Sequence, residues 1–383
     1  MNSKLPSYRL IPAAMMLLSA QGFAAETTIN GFASIVGGVT VNSAELPSGE
    51  EATYVADRGF ARNEDGTPND NAIYSDSISY RPDTNYGVQF KSDLTRGLTV
   101  TAQIAGRGAQ DFKTELEWAY LSYDLTPNTT LQAGRQRMPL YYYSDFIDVG
   151  YAYHWIRPPV DVYSNTLTTY EGFSLTHNGS LGNWTTKTRL YTGTSSNETT
   201  RFGSFNSDGM YGLVFNINND WLQLRASYLT GEFYVDGTET GQDNAQNSAF
   251  GSVALNFTLG NGFIIAEATS GKVQDGYLSD GAAQFDGLSS FMVSAGYQFG
   301  SVTPHLTFSN SQVDFYSGIV PLYEGWFTKS ETITAGIRWD FHPSAAFKLE
   351  YVSAKDKSVD QLVFLRGKVE EADVVAFGFD LLF

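Results

Sequence analysis

Apolar and polar side chains alternate at period two along most of this chain, the spacing at which a strand sends successive side chains to opposite faces of a sheet. At the C-terminus Val375, Phe377, Phe379, Leu381 and Phe383 share one face, and Ala376, Gly378, Asp380 and Leu382 share the other. Leu222, Leu224, Ala226 and Tyr228 alternate with Gln223, Arg225 and Ser227, and Val253, Leu255, Phe257 and Leu259 with Ala254, Asn256 and Thr258. Ile333, Ala335, Ile337 and Trp339 against Thr334, Gly336, Arg338 and Asp340 repeat the pattern. One such strand would suit a soluble sandwich equally well, so the number of strands carries the argument. The pattern predicts 16, at 26–41, 83–93, 97–107, 113–125, 128–138, 167–178, 183–195, 208–218, 220–235, 246–259, 261–273, 288–299, 301–313, 328–341, 344–356 and 371–383.

The connections alternate too. Tight turns at Thr95-Arg96-Gly97, Thr126-Pro127, Gly260-Asn261, Gly300 and His342-Pro343-Ser344 are interleaved with longer loops rich in Gly, Asp, Ser and Asn. Short turns on one side and long loops on the other match an outer-membrane barrel, with periplasmic turns and extracellular loops. Lipid offers no hydrogen-bond partners, so a sheet within it can leave no open edge. An even strand count with both termini periplasmic closes the ring. The expected fold is therefore all-β, a transmembrane antiparallel barrel without an internal repeat or separate domain.

The N-terminus sets the compartment. Lys4 and Arg9 precede an apolar stretch from Leu10 to Ala20, followed by Gly22-Phe23-Ala24-Ala25. This is the form of a secretory signal peptide, with cleavage after Ala24 or Ala25. The stretch is too short for a spanning helix, which needs about 20 apolar residues, and no later segment is apolar enough to be one. Residues 1–24 are read as leader and 25–383 as the barrel domain. Loss of the two leader bases takes the formal charge of -17 to -19, which argues against a nucleic-acid partner. Cysteine is absent, so an exported chain of this length is held without disulfides or thiolate metal sites. Aromatics at 14% and 37 glycines, without a long apolar run, also suit a membrane barrel.

At this point the mature chain resembles the Gram-negative general porins, trimeric 16-stranded barrels, over essentially its whole length. The ending Gly378-Phe379-Asp380-Leu381-Leu382-Phe383 resembles the terminal signal that outer-membrane barrels present to the barrel assembly machinery, with Gly378, Leu381 and Phe383 as its key positions. Gly134-Arg135-Gln136-Arg137-Met138-Pro139 leads into a long segment, Leu140 to Thr166, directly after the fifth strand. In that family the third extracellular loop stands here, folds into the barrel and narrows the pore. Its content, Tyr141-Tyr142-Tyr143-Ser144-Asp145-Phe146-Ile147-Asp148-Val149-Gly150 and Trp155-Ile156-Arg157-Pro158-Pro159, is similar to that of many proteobacterial porins. The resemblance implies a homotrimer in the outer membrane of a Gram-negative bacterium, among lipid and lipopolysaccharide, passing ions and small hydrophilic solutes.

A pore of this kind selects by size and field, with acids and bases at close quarters in its constriction. The loop supplies Asp145, Asp148 and Asp161 with one base, Arg157. By resemblance, these acids would face a basic cluster on the wall. Alternation sends Lys91, Arg107, Lys187, Arg189, Arg225, Arg338 and Lys348 inward, with Asp340, Glu350 and Asp380 as inward acids. Arg135 and Arg137 fall on the face of Leu131 and Ala133, otherwise outward, where an arginine in lipid costs about 2 to 4 kcal/mol at the midplane. Either Gly134 marks a bulge that resets the alternation, or a neighbouring subunit covers this side. Glu115-Leu116-Glu117-Trp118 on the fourth strand shows the same mixture, and both arginines are kept as candidate pore residues.

The aromatic run Tyr141 to Tyr143, with Tyr151, Tyr153 and Trp155, fits a loop packed against the wall better than a track for sugars. Some outer-membrane barrels are lipases using Ser and His, but the one His-x-Ser spacing, His342-Pro343-Ser344, lies in a predicted turn with proline between. His154, His177 and His305 have no zinc-like neighbours, so neither a catalytic role nor a metal or cofactor is assigned. The first loop, Asn42 to Pro82, carries Arg58, Arg62, Glu64, Asp65 and Asp70, read as solvated charge. The sequence thus leads to passive diffusion. A solute-specific channel for a sugar or an anion, and a structural or adhesive barrel, remain as alternatives.

Overall fold

The structure, a computed structural model, describes residues 26–43, 54–55, 71, 73–163, 167–200, 203–236, 245–273, 284–316, 327–357 and 371–383. The leader and the charged positions Arg58, Arg62, Glu64, Asp65 and Asp70 of the first loop lie outside the described residues. In chain order the strands are β1 (Thr27–Ser43), β2 (Tyr54–Val55), β3 (Ile73–Tyr74), β4 (Asn85–Thr95), β5 (Leu98–Arg107) and β6 (Thr114–Thr126). They continue as β7 (Thr129–Arg137), β8 (Thr169–Leu181), β9 (Trp184–Thr200), β10 (Gly203–Asn218), β11 (Leu222–Asp236) and β12 (Gln246–Leu259). The series ends with β13 (Gly262–Val273), β14 (Gln284–Tyr297), β15 (Val302–Tyr316), β16 (Phe327–His342), β17 (Ala345–Asp356) and β18 (Ala372–Leu382).

Strands β2 and β3 pair with each other, and the other 16 described strands form one closed barrel in which sequence neighbours pair antiparallel. All 16 expected strands are present. The ring closes where β1 pairs with β18, from Phe32 opposite Leu382 to Ser43 opposite Ala372. The chain's last residue belongs to this seam. Gly31 N–H donates to the Phe383 carbonyl (2.6 Å), and Phe383 N–H donates back to Gly31 (3.0 Å). A side chain at residue 31 would collide with the Phe383 ring, so glycine there lets the terminal ring lie flat on the outer wall.

Alternation works as expected on the outer face, where Ile35, Leu190, Leu213, Val253, Leu306, Ile333 and Phe379 are all exposed. Short-turn ends of the strands carry an aromatic girdle. Trp221 packs on Trp184 and Phe257, Tyr297 on Phe299, and Phe341 on Trp339 and Phe379. Amphipathic rings at this level suit a membrane–water interface. Gly97, Gly260 and Gly300, at three of the expected turns, adopt φ of 78°, 57° and 62°, in the left-handed region where glycine is favoured.

Two expectations about facing are corrected. The mixture at Glu115 to Trp118 arises from a bulge, because Gln103 pairs with Trp118 while Ile104 pairs with Leu116. Glu117 is the extra residue, so it and Trp118 both turn to the inside and the neighbour-subunit explanation is not needed there. Gly134, with φ of 129°, is not a bulge: register runs unbroken through it to both neighbours. A Cβ there would sit 2.4 Å from the Ala119 carbonyl oxygen, which accounts for the glycine. Arg135 therefore stays on the outer face, half-exposed and 3.9 Å from Glu171 of β8, and is not a pore-wall residue. Arg137 ends β7, where the chain leaves the wall, and its side chain is buried on the inner side.

A polar substitution should separate the two faces. Val253→Arg, on the outer face midway along β12, is expected to destabilise the barrel by about 2 to 4 kcal/mol. Thr258→Arg, at an exposed inner-face position of the same strand, keeps its guanidinium in water and is expected to cost far less. Urea unfolding in lipid vesicles measures both, and equal losses would overturn the assigned faces.

Candidate functional site

The segment between β7 and β8 carries short 3-10 turns at Ser144–Phe146 and Gly150–Ala152. Its partners are inward side chains from strands nearly all round the ring, which puts it inside the barrel. Tyr142 N–H and the Tyr163 hydroxyl donate to Glu267 on β13. Arg225 of β11 donates to the Pro139 carbonyl at 2.8 Å, and the Trp155 indole donates to Thr307 on β15 at 2.8 Å. Asp161 accepts from Ser309 on β15 and Ser330 on β16, and Ile156 N–H donates to Glu350 on β17. Lys348, also on β17, is almost fully buried: it pairs with Asp380 on β18 (2.7 Å) and donates to the carbonyls of Gly150 and Trp155. Gly150 is needed at this contact, since a Cβ would meet Asp380 and Ser34 at 2.3 and 2.4 Å.

Apolar packing reinforces these anchors. Tyr141, Tyr143, Tyr153, Trp155 and Tyr163 of the loop join Met210, Leu229, Ile265 and Met292 of the wall in one buried cluster. Ile156 and Val160 pack with Val36, Val352, Val374 and Ala376 in another. The aromatic run therefore packs the loop against the wall, as expected from the sequence. Burial drives the His154 pKa well below the ordinary histidine range, helped by His305, Lys348 and Arg338, so this ring is neutral at physiological pH. It bonds Ser294 on β14 at 2.9 Å.

The candidate charges separate into groups. Asp148 is buried between Arg107 (2.8 Å) and Arg137, while Glu117 pairs with Arg107 at 2.7 Å. The Arg137 guanidinium also lies 5.1 Å from the ring centre of Trp118. Arg157 pairs with Asp83, just before β4, and Asp83 also accepts from Tyr74. Arg338 pairs with Asp340 at 2.7 Å and donates to the carbonyls of Tyr151 and Tyr153. Asp145 differs from the other loop acids: its side chain is 39% exposed and lies 3.4 Å from Arg189 on β9. Burial alone would raise the Asp145 pKa, but Arg189, Arg225 and Lys187 outweigh it and hold the carboxyl below its usual range. Lys187 and Lys91 extend into the lumen as exposed side chains.

Of the expected constriction residues, only Asp145 meets the predicted basic wall at a water-exposed position. Asp148, Asp161 and Arg157 tie the loop to its surroundings, and Arg225, Arg338 and Lys348, expected along the pore wall, face inward but are covered by the loop. Glu267, Glu117 and Asp83 were not singled out from sequence. Parity alone points Glu267 inward beside Ile265 and Thr269, whereas the bulge disguises Glu117. His342 and Ser344 do meet, at 3.1 Å, but the histidine Nδ1 also accepts the Ser344 N–H, which makes this an exposed turn cap. Among the described residues no group of three His, Cys, Asp or Glu side chains could hold a metal ion.

No family model and no curated protein matches the chain. Solved structures match its fold at low identity. The outer membrane channel DcaP of Acinetobacter baumannii is 13% identical with a TM-score of 0.59, covering 94% of this chain and 97% of the other. Salmonella typhi OmpF in complex with daunomycin is 14% identical with a TM-score of 0.58, covering 94% and 98%. The in-vitro folded trimer form of OmpT, an outer membrane protein of Vibrio cholerae, is 10% identical with a TM-score of 0.52, covering 94% and 100%. The chain thus has the fold of the 16-stranded outer-membrane porins.

The buried Asp148 should carry much of the loop's attachment. Removing one partner of a buried ion pair leaves an uncompensated charge and costs about 3 to 5 kcal/mol. Asp148→Asn is therefore expected to lower the temperature at which the folded form disappears on a heat-modifiability gel, and Arg137→Met to lower it less. Burial raises the Asp148 pKa, but Arg107 and Arg137 pull it below the ordinary value of 3.8. Its folded pKa lies below its unfolded one, so the contribution is complete above the ordinary carboxylate range and is lost as pH falls through the folded value. The gap between wild type and Asp148→Asn should be full at neutral pH and narrow below about pH 4. A gap that is constant with pH would rule out this role.

Proposed function

We propose that the chain, after removal of residues 1–24, is an outer-membrane porin of a Gram-negative bacterium through which ions and small hydrophilic solutes diffuse passively. The observation that carries this reading is the inner loop itself. A loop bonded to the wall on most sides leaves passage along its free edge, where exposed Asp145 faces Arg189 and exposed Lys187. Charges of opposite sign across a narrow water space create a transverse field that ions and polar molecules must cross, and uncharged bulky solutes gain nothing from it. The outer face, apolar and girdled by aromatic rings, suits residence in lipid.

A homotrimer accords with this reading and with the outward pair of Arg135 and Glu171. A loose, half-exposed ion pair in lipid is unfavourable, and a neighbouring copy against β7 and β8 would relieve it. Gly378, Leu381 and Phe383 would serve the assembly machinery. In support, the terminal strand is regular to its end and Phe383 presents an exposed ring beside the seam.

The direct test is reconstitution of the leader-free chain in planar bilayers. Discrete conductance steps that rise linearly with voltage and salt are expected. Saturation at low concentration of one solute would favour a solute-specific channel. Folded, inserted protein with no steps would sink the diffusion reading in favour of a structural barrel.

A further inference from the structure

The lumen sorts its charges by what they touch. Glu117, Asp148, Asp161, Glu267, Glu350 and Asp380 are all buried, and each is engaged by the loop or by a base that also holds it. None of these carboxylates meets the open passage. Asp145 alone among the loop acids is substantially exposed, and Arg189 already faces it. Exposed lumen bases are not cancelled in the same way. Lys187 and Lys91 make no ion pair within 4 Å among the described residues and stand exposed in the lumen.

The register places the bases together. Lys187 of β9 pairs with Asn216 of β10, and Asn216 pairs in turn with Arg225 of β11. All three thus lie in one row across the wall, with the outer bases about 9.5 Å apart at the usual strand spacing. Arg189 stands two residues from Lys187 on the same face, about 7 Å along the strand. Arg225 is the inner member, bound to Asn216 and to the loop. This leaves Lys187 and Arg189 against one acid at the free edge of the loop, with the buried Arg225 behind them. An ion passing there meets net positive charge, although the whole chain is strongly acidic.

Resting on the channel reading, we propose that the passage prefers small anions, inorganic or carboxylate, and that Lys187 is the residue that sets this preference. Lys187 has no structural bond to give up, so its charge is available to solute. Arg189 and Arg225 add to the local potential while holding Asp145 and the loop in place.

The test is the reversal potential of the full mature chain in planar bilayers across a potassium chloride gradient. Measurement at both about 0.1 M and 1 M salt separates the mouths from the lumen, because screening shortens from about 10 Å to about 3 Å. Anion over cation permeability is expected to exceed unity in wild type. It should fall with Lys187→Gln, reverse with Lys187→Glu and rise with Asp145→Asn, while Lys272→Gln, on the outer face of β13, leaves it unchanged. Potassium acetate in place of the chloride should give the same sign. Clear steps with cation preference in wild type, or a reversal potential indifferent to Lys187→Gln, would overturn the anion assignment while leaving the channel reading intact. Absence of steps from heat-modifiable, folded protein would overturn the channel reading instead. Because Lys187 is exposed and unbonded, both substitutions are expected to fold, and gel migration checks this before each recording.

Discussion

Backbone hydrogen bonding in a medium without water is the constraint from which the rest of this structure follows. Each strand must give its N–H and C=O groups to two neighbours, so the first strand must find the last. The seam between β1 and β18 meets that demand down to the final residue, whose backbone is paired with Gly31. Once the ring is closed, the outer face is committed to lipid and has little capacity for specificity. Chemistry that distinguishes one solute from another has to be on the inner face or in the loops.

The inner face is itself divided. Behind the loop it is protein interior: Met210, Leu229, Ile265 and Met292 pack against loop aromatics, and Val36 and Val374 against Ile156 and Val160. Opposite the free edge of the loop it is wet, with Lys187, Gln223 and Asn216 on adjacent strands. The two sectors have different rules. An unpaired carboxylate in the first would cost several kcal/mol, which is why each one found there has donors. In the second, water solvates a charge and the protein need not pair it. The loop is therefore more than an obstruction, since by covering one side of the wall it decides which inner charges a solute can meet.

Much of the fold could be read from period-two alternation, because contact with lipid on one face and with water or loop on the other leaves a mark on every strand. The strand at 246–259 has the same limits in sequence and structure. Alternation failed at single-residue events. The extra residue at Glu117 shifts parity without changing composition, and nothing local distinguishes it from a regular strand. Arg135 and Arg137 share a parity, yet one stays outside while the other, at the strand's end, turns in to Asp148. The site was less legible than the fold for a related reason. Alternation could assign Lys348 and Arg225 to the inner face, but not show that a loop some 86 to 198 residues distant would cover them. Inward apolar residues such as Phe263 and Ile265 also weakened the pattern around Glu267, where the wall faces protein.

The same division governs which charges the loop takes out of the water. A loop laid against a barrel wall brings unpaired backbone N–H groups and tyrosine hydroxyls with it, and these donors need acceptors on the wall. Carboxylates meet that need, as Glu350 does for Ile156 and Glu267 for Tyr142 and Tyr163. Loop acids in turn find wall donors, as Asp161 does with Ser309 and Ser330. Lysine and arginine serve as donors to loop carbonyls, as Lys348 does for Gly150 and Trp155 and Arg338 for Tyr151 and Tyr153. Attachment of the loop thus withdraws acids and bases alike from the water, and the proposed preference rests on the few charges left at its free edge, Asp145, Arg189 and Lys187.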